Sequence, residues 1–89
     1  MDKFLAHILV VDDDEGIRSL VKKYLNENNF LVTTAESAED ATEKIKIIDF
    51  DIIILDIMMP GKSGLQFIQE KKGKLLTPII LLTAKGTAD

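Results

Sequence analysis

The stretch Asp51-Ile52-Ile53-Ile54-Leu55-Asp56 sets four apolar residues in a row between two acids, without the polar alternation of a strand that keeps one wet face. Successive side chains of a β-strand point to opposite sides of the sheet, so a strand of this composition must be covered on both faces. Such cover is typical of parallel sheets, where the helices that cross over between strands supply it. Similar runs stand at Ile8-Leu9-Val10-Val11 and at Pro78-Ile79-Ile80-Leu81-Leu82-Thr83, and Phe30-Leu31-Val32-Thr33-Thr34-Ala35 has the β-branched content of a further strand.

The segments between these runs carry helical spacing. Ile17, Leu20, Val21, Tyr24 and Leu25 recur as one amphipathic stripe with Lys22, Lys23 and Glu27 opposite, and Asn28-Asn29 suits a left-handed helix stop. Ser37 with Asp40 resembles an acidic capping box, and Ala38, Ala41, Ile45 and Ile48 follow in a helix expected to end near Asp49. Met58-Met59-Pro60-Gly61-Lys62-Ser63-Gly64 reads as a loop, and Leu65, Phe67 and Ile68, with Leu75 and Leu76, belong to or follow a third helix. Strand and helix therefore alternate, which implies an open parallel α/β sheet with right-handed crossovers in three α/β/α layers. The 89 residues allow one domain, here spanning 1–89, with a thin core.

Composition excludes several classes of function. The chain has no cysteine, which removes disulfide frameworks and thiolate zinc sites and fits a reducing compartment. A net charge of -4 disfavours nucleic-acid binding by this segment, since that binding draws on neutralising phosphates. Apolar runs such as Ile52 to Leu55 fall far short of the roughly 20 residues of a membrane span. The start Met1-Asp2-Lys3-Phe4-Leu5-Ala6-His7 lacks a signal-type apolar stretch with a cleavage site, so the expected location is cytoplasmic. His7 has no metal-ligand spacing and is expected on the surface, as are Lys71, Lys72 and Lys74 at a helix end.

The acids carry the chemistry. Ligands of open parallel sheets collect beyond the carboxyl ends of the strands where strand order reverses, and in the order 2-1-3-4 the first and third strands are neighbours. Asp12 and Asp13 end the first strand and Asp56 ends the third, so three carboxylates converge at one sheet edge. Their mutual repulsion raises carboxylate pKa values and calls for a cation, and a hard divalent ion such as Mg2+ suits oxygen ligands. An ion that keeps open positions beside a lone carboxylate is the arrangement of phosphoryl transfer, with Asp56 as nucleophile. Thr83, ending the fourth strand, is placed to hydrogen-bond a phosphoryl oxygen. Asp14 and Glu15 suit the start of the first helix.

Ile8-Leu9-Val10-Val11-Asp12-Asp13-Asp14, Asp56-Ile57-Met58-Met59-Pro60-Gly61 with Ser63-Gly64, and Pro78-Ile79-Ile80-Leu81-Leu82-Thr83-Ala84-Lys85-Gly86 together resemble the receiver domains of two-component response regulators. The resemblance runs over almost the whole chain, in matching order and spacing. It implies a flavodoxin-like fold and phosphorylation of Asp56 by a sensor histidine kinase, in a signalling protein rather than an enzyme. It also implies Mg2+ ligation by Asp13, Asp56 and the Met58 main-chain carbonyl, with Asp12 acting through water, and a switching role for Thr83. The wording from Thr83 to Gly86 is similar to regulators that carry a winged-helix DNA-binding domain. The family continues with a fourth helix, a fifth strand bearing a lysine that pairs with the phosphoryl group, and a fifth helix; this sequence stops at Asp89 and is read as the larger, N-terminal part of such a domain. The apolar fourth strand is then an open edge, and self-association of the isolated chain is expected.

Other readings of the same residues compete. Asp12-x-Asp14 resembles aspartate-nucleophile phosphohydrolases, but Gly16 stands where that pattern usually has Thr or Val. An FMN-binding flavodoxin wants a first loop that cradles phosphate, which an acidic loop repels. A degenerate receiver acting only as an interaction module keeps the fold without the phosphoryl chemistry.

Overall fold

The structure is a computed structural model, and it describes residues 3–82. The elements follow the expected alternation: β1 His7–Val11, α1 Glu15–Glu27, β2 Leu31–Ala35, α2 Ala38–Ile47, β3 Ile52–Asp56, α3 Gly64–Lys71 and β4 Ile79–Leu82. All three strand pairs are parallel, in the order β2-β1-β3-β4. Val11 lies level with Ala35 on one side and Leu55 on the other, so β1 and β3 end together.

Side-chain alternation along the strands divides the core in two. Leu9, Val11, Ile53 and Leu55 face Ala38, Ala41 and Phe67 together with Ile45 and Ile68, the layer of α2 and α3. Ile8, Val10 and Val32 face the other way, toward Val21 and Leu25 of α1, with Ile52 and Ile54 beside them. Both faces of β3 are thus in use, which is why its sequence carries no polar alternation. Each fully buried aliphatic or aromatic side chain contributes about 1.5–3 kcal/mol.

Local signals set the ends of the elements. The Asp14 carboxylate accepts the Ile17 N–H at 3.0 Å as the cap of α1. Asn29 takes a positive φ of 68° after that helix, the left-handed conformation that asparagine tolerates. Ser63 and Gln66 form a reciprocal capping box at α3.

Four expectations need correction. Ser37 caps α2 by accepting the Asp40 N–H, but the box is not reciprocal, since the Asp40 carboxylate accepts the Glu36 N–H rather than that of Ser37. That helix also stops at Ile47, since Ile48 turns extended and packs against the core. On α1, Leu20 and Tyr24 remain 68% and 64% exposed, because the sheet seats the Val21–Leu25 side of the stripe. His7 is half-buried rather than free on the surface: its ring packs edge-on against Phe50 and meets the Thr33 hydroxyl at 2.8 Å.

Candidate functional site

β1 and β3 end level with each other, and the residues that follow or close them are acids. Asp12 and Asp56 are buried at 4% and 5% exposure, while Asp13 is exposed. One carboxylate oxygen from each of Asp12, Asp13 and Asp56 lies within 4.8 Å of the others. Two oxygens bound to one octahedral ion at about 2.0–2.1 Å sit roughly 3–4 Å apart, so the three donors lie near the spacing that a single centre requires. All three are hard oxygen donors, and the cluster is one that could bind a metal ion.

The two buried acids are held from behind. The Asp12 N–H donates to the Ala35 carbonyl at 3.1 Å, prolonging the β1–β2 ladder by one residue. One Asp12 carboxylate oxygen accepts the Asp14 N–H at 2.9 Å, and the Asp12 carbonyl accepts from the Arg18 guanidinium at 2.8 Å. Asp56 Oδ1 accepts the Met58 N–H at 3.0 Å. Burial holds the Asp56 carboxyl above the usual carboxylate range; the Met58 N–H opposes this, and the Asp12 and Asp13 charges and a hydrogen bond with Asp13 add to it.

The loop after β3 is fixed by close packing. Met59 is buried in the α2–α3 side of the core, whereas Met58 is 62% exposed and lines the acid cleft. Gly64 donates to the Ile57 carbonyl at 3.1 Å and approaches so near that a Cβ there would stand 2.5 Å from the Asp56 carbonyl oxygen. Only glycine fits at that contact, which brings the start of α3 against the residue that bears the cluster's third acid.

The acids open into a cleft of about 340 Å³ lined by Asp12, Asp13, Asp14, Ile17, Asp56, Met58 and Leu82. Of its rim, Met58 belongs to a motif singled out in the sequence, whereas Ile17 and Leu82 were read only as parts of a helix stripe and a strand. A larger hollow of about 550 Å³ lies along α3 and β4, lined by Leu65, Ile68, Lys71, Lys72 and Leu75 among others. It is lined mostly by apolar and basic side chains and by no acid, so the clustered carboxylates all belong to the smaller cleft. Thr83 lies outside the described residues.

An open parallel sheet with three acids at the strand tips of its centre defines the class: an α/β domain whose carboxyl strand edge carries an acid cluster that could bind a metal ion. Comparison with known proteins narrows this. The model of the response regulator receiver domain matches residues 8–89. The protein PetR of Rhodobacter capsulatus is 48% identical over 80 residues, which are 90% of this chain and 34% of that protein. The transcriptional regulatory protein ResD of Bacillus subtilis is 44% identical over 79 residues, 89% of this chain and 33% of that protein. Among solved structures, the response regulator TrrA of Thermotoga maritima, in complex with Mg2+-BeF, superposes with a TM-score of 0.82 at 45% identity, covering 97% of this chain and 72% of that one. A Francisella response regulator receiver domain gives a TM-score of 0.84 at 31% identity, over 93% and 69% of the two chains.

The chain belongs to the response regulator receiver domain family, with the flavodoxin-like fold. It is a receiver of two-component signalling, related to transcriptional regulatory proteins such as ResD. It spans about a third of the length of PetR and ResD. Among the described residues, no helix is long and apolar enough to cross a membrane.

Proposed function

We propose that Asp56 is the phosphoacceptor of this chain, taking a phosphoryl group from the phosphohistidine of a sensor histidine kinase, with Mg2+ held by Asp13, Asp56 and the Met58 carbonyl and by Asp12 through water. The observation that carries this reading is the convergence of the three carboxylates at the tips of β1 and β3. TrrA, a relative of 45% identity, binds Mg2+ and a beryllium fluoride, and its likeness supports the choice of ion. When bound, the ion supplies positive charge for the equatorial oxygens of the phosphoryl group.

The residues divide the remaining work. Asp56 Oδ1 is engaged by the Met58 N–H, which leaves the second oxygen free to attack. That oxygen forms the new O–P bond as the P–N bond of the phosphohistidine breaks, and the imidazole departs with the electron pair. Asp56 must be ionised to attack, and cationic charge beside Asp12 and Asp13 favours that form against its burial. Thr83, the residue after Leu82 in sequence, donates a hydrogen bond to the acyl phosphate and transmits its presence. The domain itself performs no turnover beyond this transfer; it is a cytoplasmic signalling module without nucleic-acid contacts of its own.

Intact-mass measurement after incubation with acetyl phosphate and Mg2+ tests the reading. The expected result is a gain of one phosphoryl group, absent in Asp56→Ala and absent with a chelator. Continuous phosphate release over many turnovers points instead to a phosphohydrolase, and an unmodified chain that still binds Mg2+ points to an interaction module.

A further inference from the structure

We propose that Arg18 is a positioning residue for the acid cluster: by holding the Asp12 carbonyl from α1, it sets the direction in which Asp13 presents its carboxylate to the ion. This rests on the metal-binding reading above and assigns a residue that the acid motifs do not contain.

The argument starts at the end of β1. A parallel ladder engages Val11 on both sides, and the Asp12 N–H continues it to Ala35. The Asp12 carbonyl is the next acceptor along, and its protein partner is Arg18 Nη1 at 2.8 Å. That carbonyl belongs to the same rigid plane as the N–H of Asp13, because the peptide bond between them is planar. Fixing the oxygen therefore fixes the orientation of the Asp13 Cα, and with it the starting direction of a side chain that is otherwise exposed.

Arg18 is suited to the task and remote from the chemistry. It sits in the first turns of α1, where its own N–H donates to the Asp14 carbonyl at 3.0 Å. Asp14 in turn caps the helix and donates its N–H to the Asp12 carboxylate. Strand end, cap and helix are thus closed into one ring of hydrogen bonds, of which Arg18 is the far member. Its side chain is half-buried and lines a separate polar cleft with Glu15, Ser19, Lys22 and Thr34, not the cleft that the acids line. It acts through the backbone.

The test compares Arg18→Met and Arg18→Lys with the wild-type 89-residue chain by three readouts: calorimetric Mg2+ affinity, the amide NMR shifts of Asp13 and Asp56 on Mg2+ addition, and the phosphorylation rate with phosphoramidate. Outer-sphere partners of metal ligands cost about 10–100-fold in affinity when removed. Arg18→Met is expected to weaken Mg2+ binding by about tenfold or more and to move the Asp13 amide signal. Arg18→Lys restores both in large part, because a single donor suffices for the carbonyl. Wild-type Mg2+ affinity in a folded Arg18→Met chain overturns the proposal. If Arg18→Met does not fold, Arg18→Lys decides: retained affinity with an unmoved Asp13 signal supports the clamp, and a loss as large as that expected for Met, at unchanged melting temperature, overturns it. A wild-type chain that binds no Mg2+ is a different outcome, which removes the metal reading itself and the clamp with it.

Discussion

Single side chains decide the behaviour of the cleft, and Asp56 most of all. Because the folded chain holds the Asp56 proton more tightly than the unfolded chain does, proton uptake favours folding. The stability of the metal-free protein that is owed to this group is therefore lost as pH rises from the ordinary carboxylate range through the raised Asp56 value, and stays low above it. Asp56→Asn removes the titration. In thermal melts with a chelator, the gain in melting temperature of Asp56→Asn over wild type is expected to grow across that window and then level off, and Mg2+ is expected to shrink it. A gain that is independent of pH contradicts the cause assigned here. Gly64 offers a second test: a methyl group 2.5 Å from the Asp56 carbonyl oxygen and 2.9 Å from the Ile57 Cα meets backbone that cannot swing aside. Gly64→Ala is expected to cost on the order of 1–3 kcal/mol in urea melts and to lower Mg2+ affinity by displacing Asp56. Asp12, Asp13 and Asp56 were legible because acids that interrupt long apolar runs stand out. Arg18 and the tight fit at Gly64 were not, since each depends on a contact between elements that no local pattern announces.

At the scale of the element, patterning located the four strands and three helices of the described residues and misjudged some of their edges. β3 was identified by its lack of alternation, and the two clusters against its faces give the reason. Helix α1 shows the limit of periodicity: five apolar positions define a stripe, but the width of that stripe exceeds what the sheet covers, so Leu20 and Tyr24 stay exposed. At the ends of α2, the Asp40 carboxylate reaches past Ser37 to the Glu36 N–H, and Ile48 leaves the helix for the core. Helix α3 anchors to the sheet chiefly through Phe67, which is fully buried. Phe67→Ala is expected to cost about 3–5 kcal/mol, a large part of the stability of so small a domain, and a fall of less than 1 kcal/mol in chemical denaturation would show that α3 docks by other contacts.

Taken whole, the molecule is covered unequally. α2 and α3 pack one face of the sheet, and α1 is the helix on the other among the described residues. β4 pairs with β3 alone among the described strands, with Ile80 51% and Leu81 39% exposed and Leu76 beside it at 95%. Open apolar strands recruit other chains. As an isolated 89-residue chain the protein is expected to associate at micromolar concentration in light scattering, and Ile80→Lys with Leu81→Lys is expected to shift it toward monomer; a stable wild-type monomer at the same concentration counts against this. The order of acids, apolar runs and glycines along the chain was enough to determine the alternation of elements, the parallel sheet and the identity of the three clustered acids, because hydrophobic patterning and loop chemistry are written locally. The distances among those acids, the exposure of Leu20 and Tyr24, the partial burial of His7 and the reach of Arg18 to Asp12 were decided only by tertiary structure, because they depend on which surfaces meet when the elements pack.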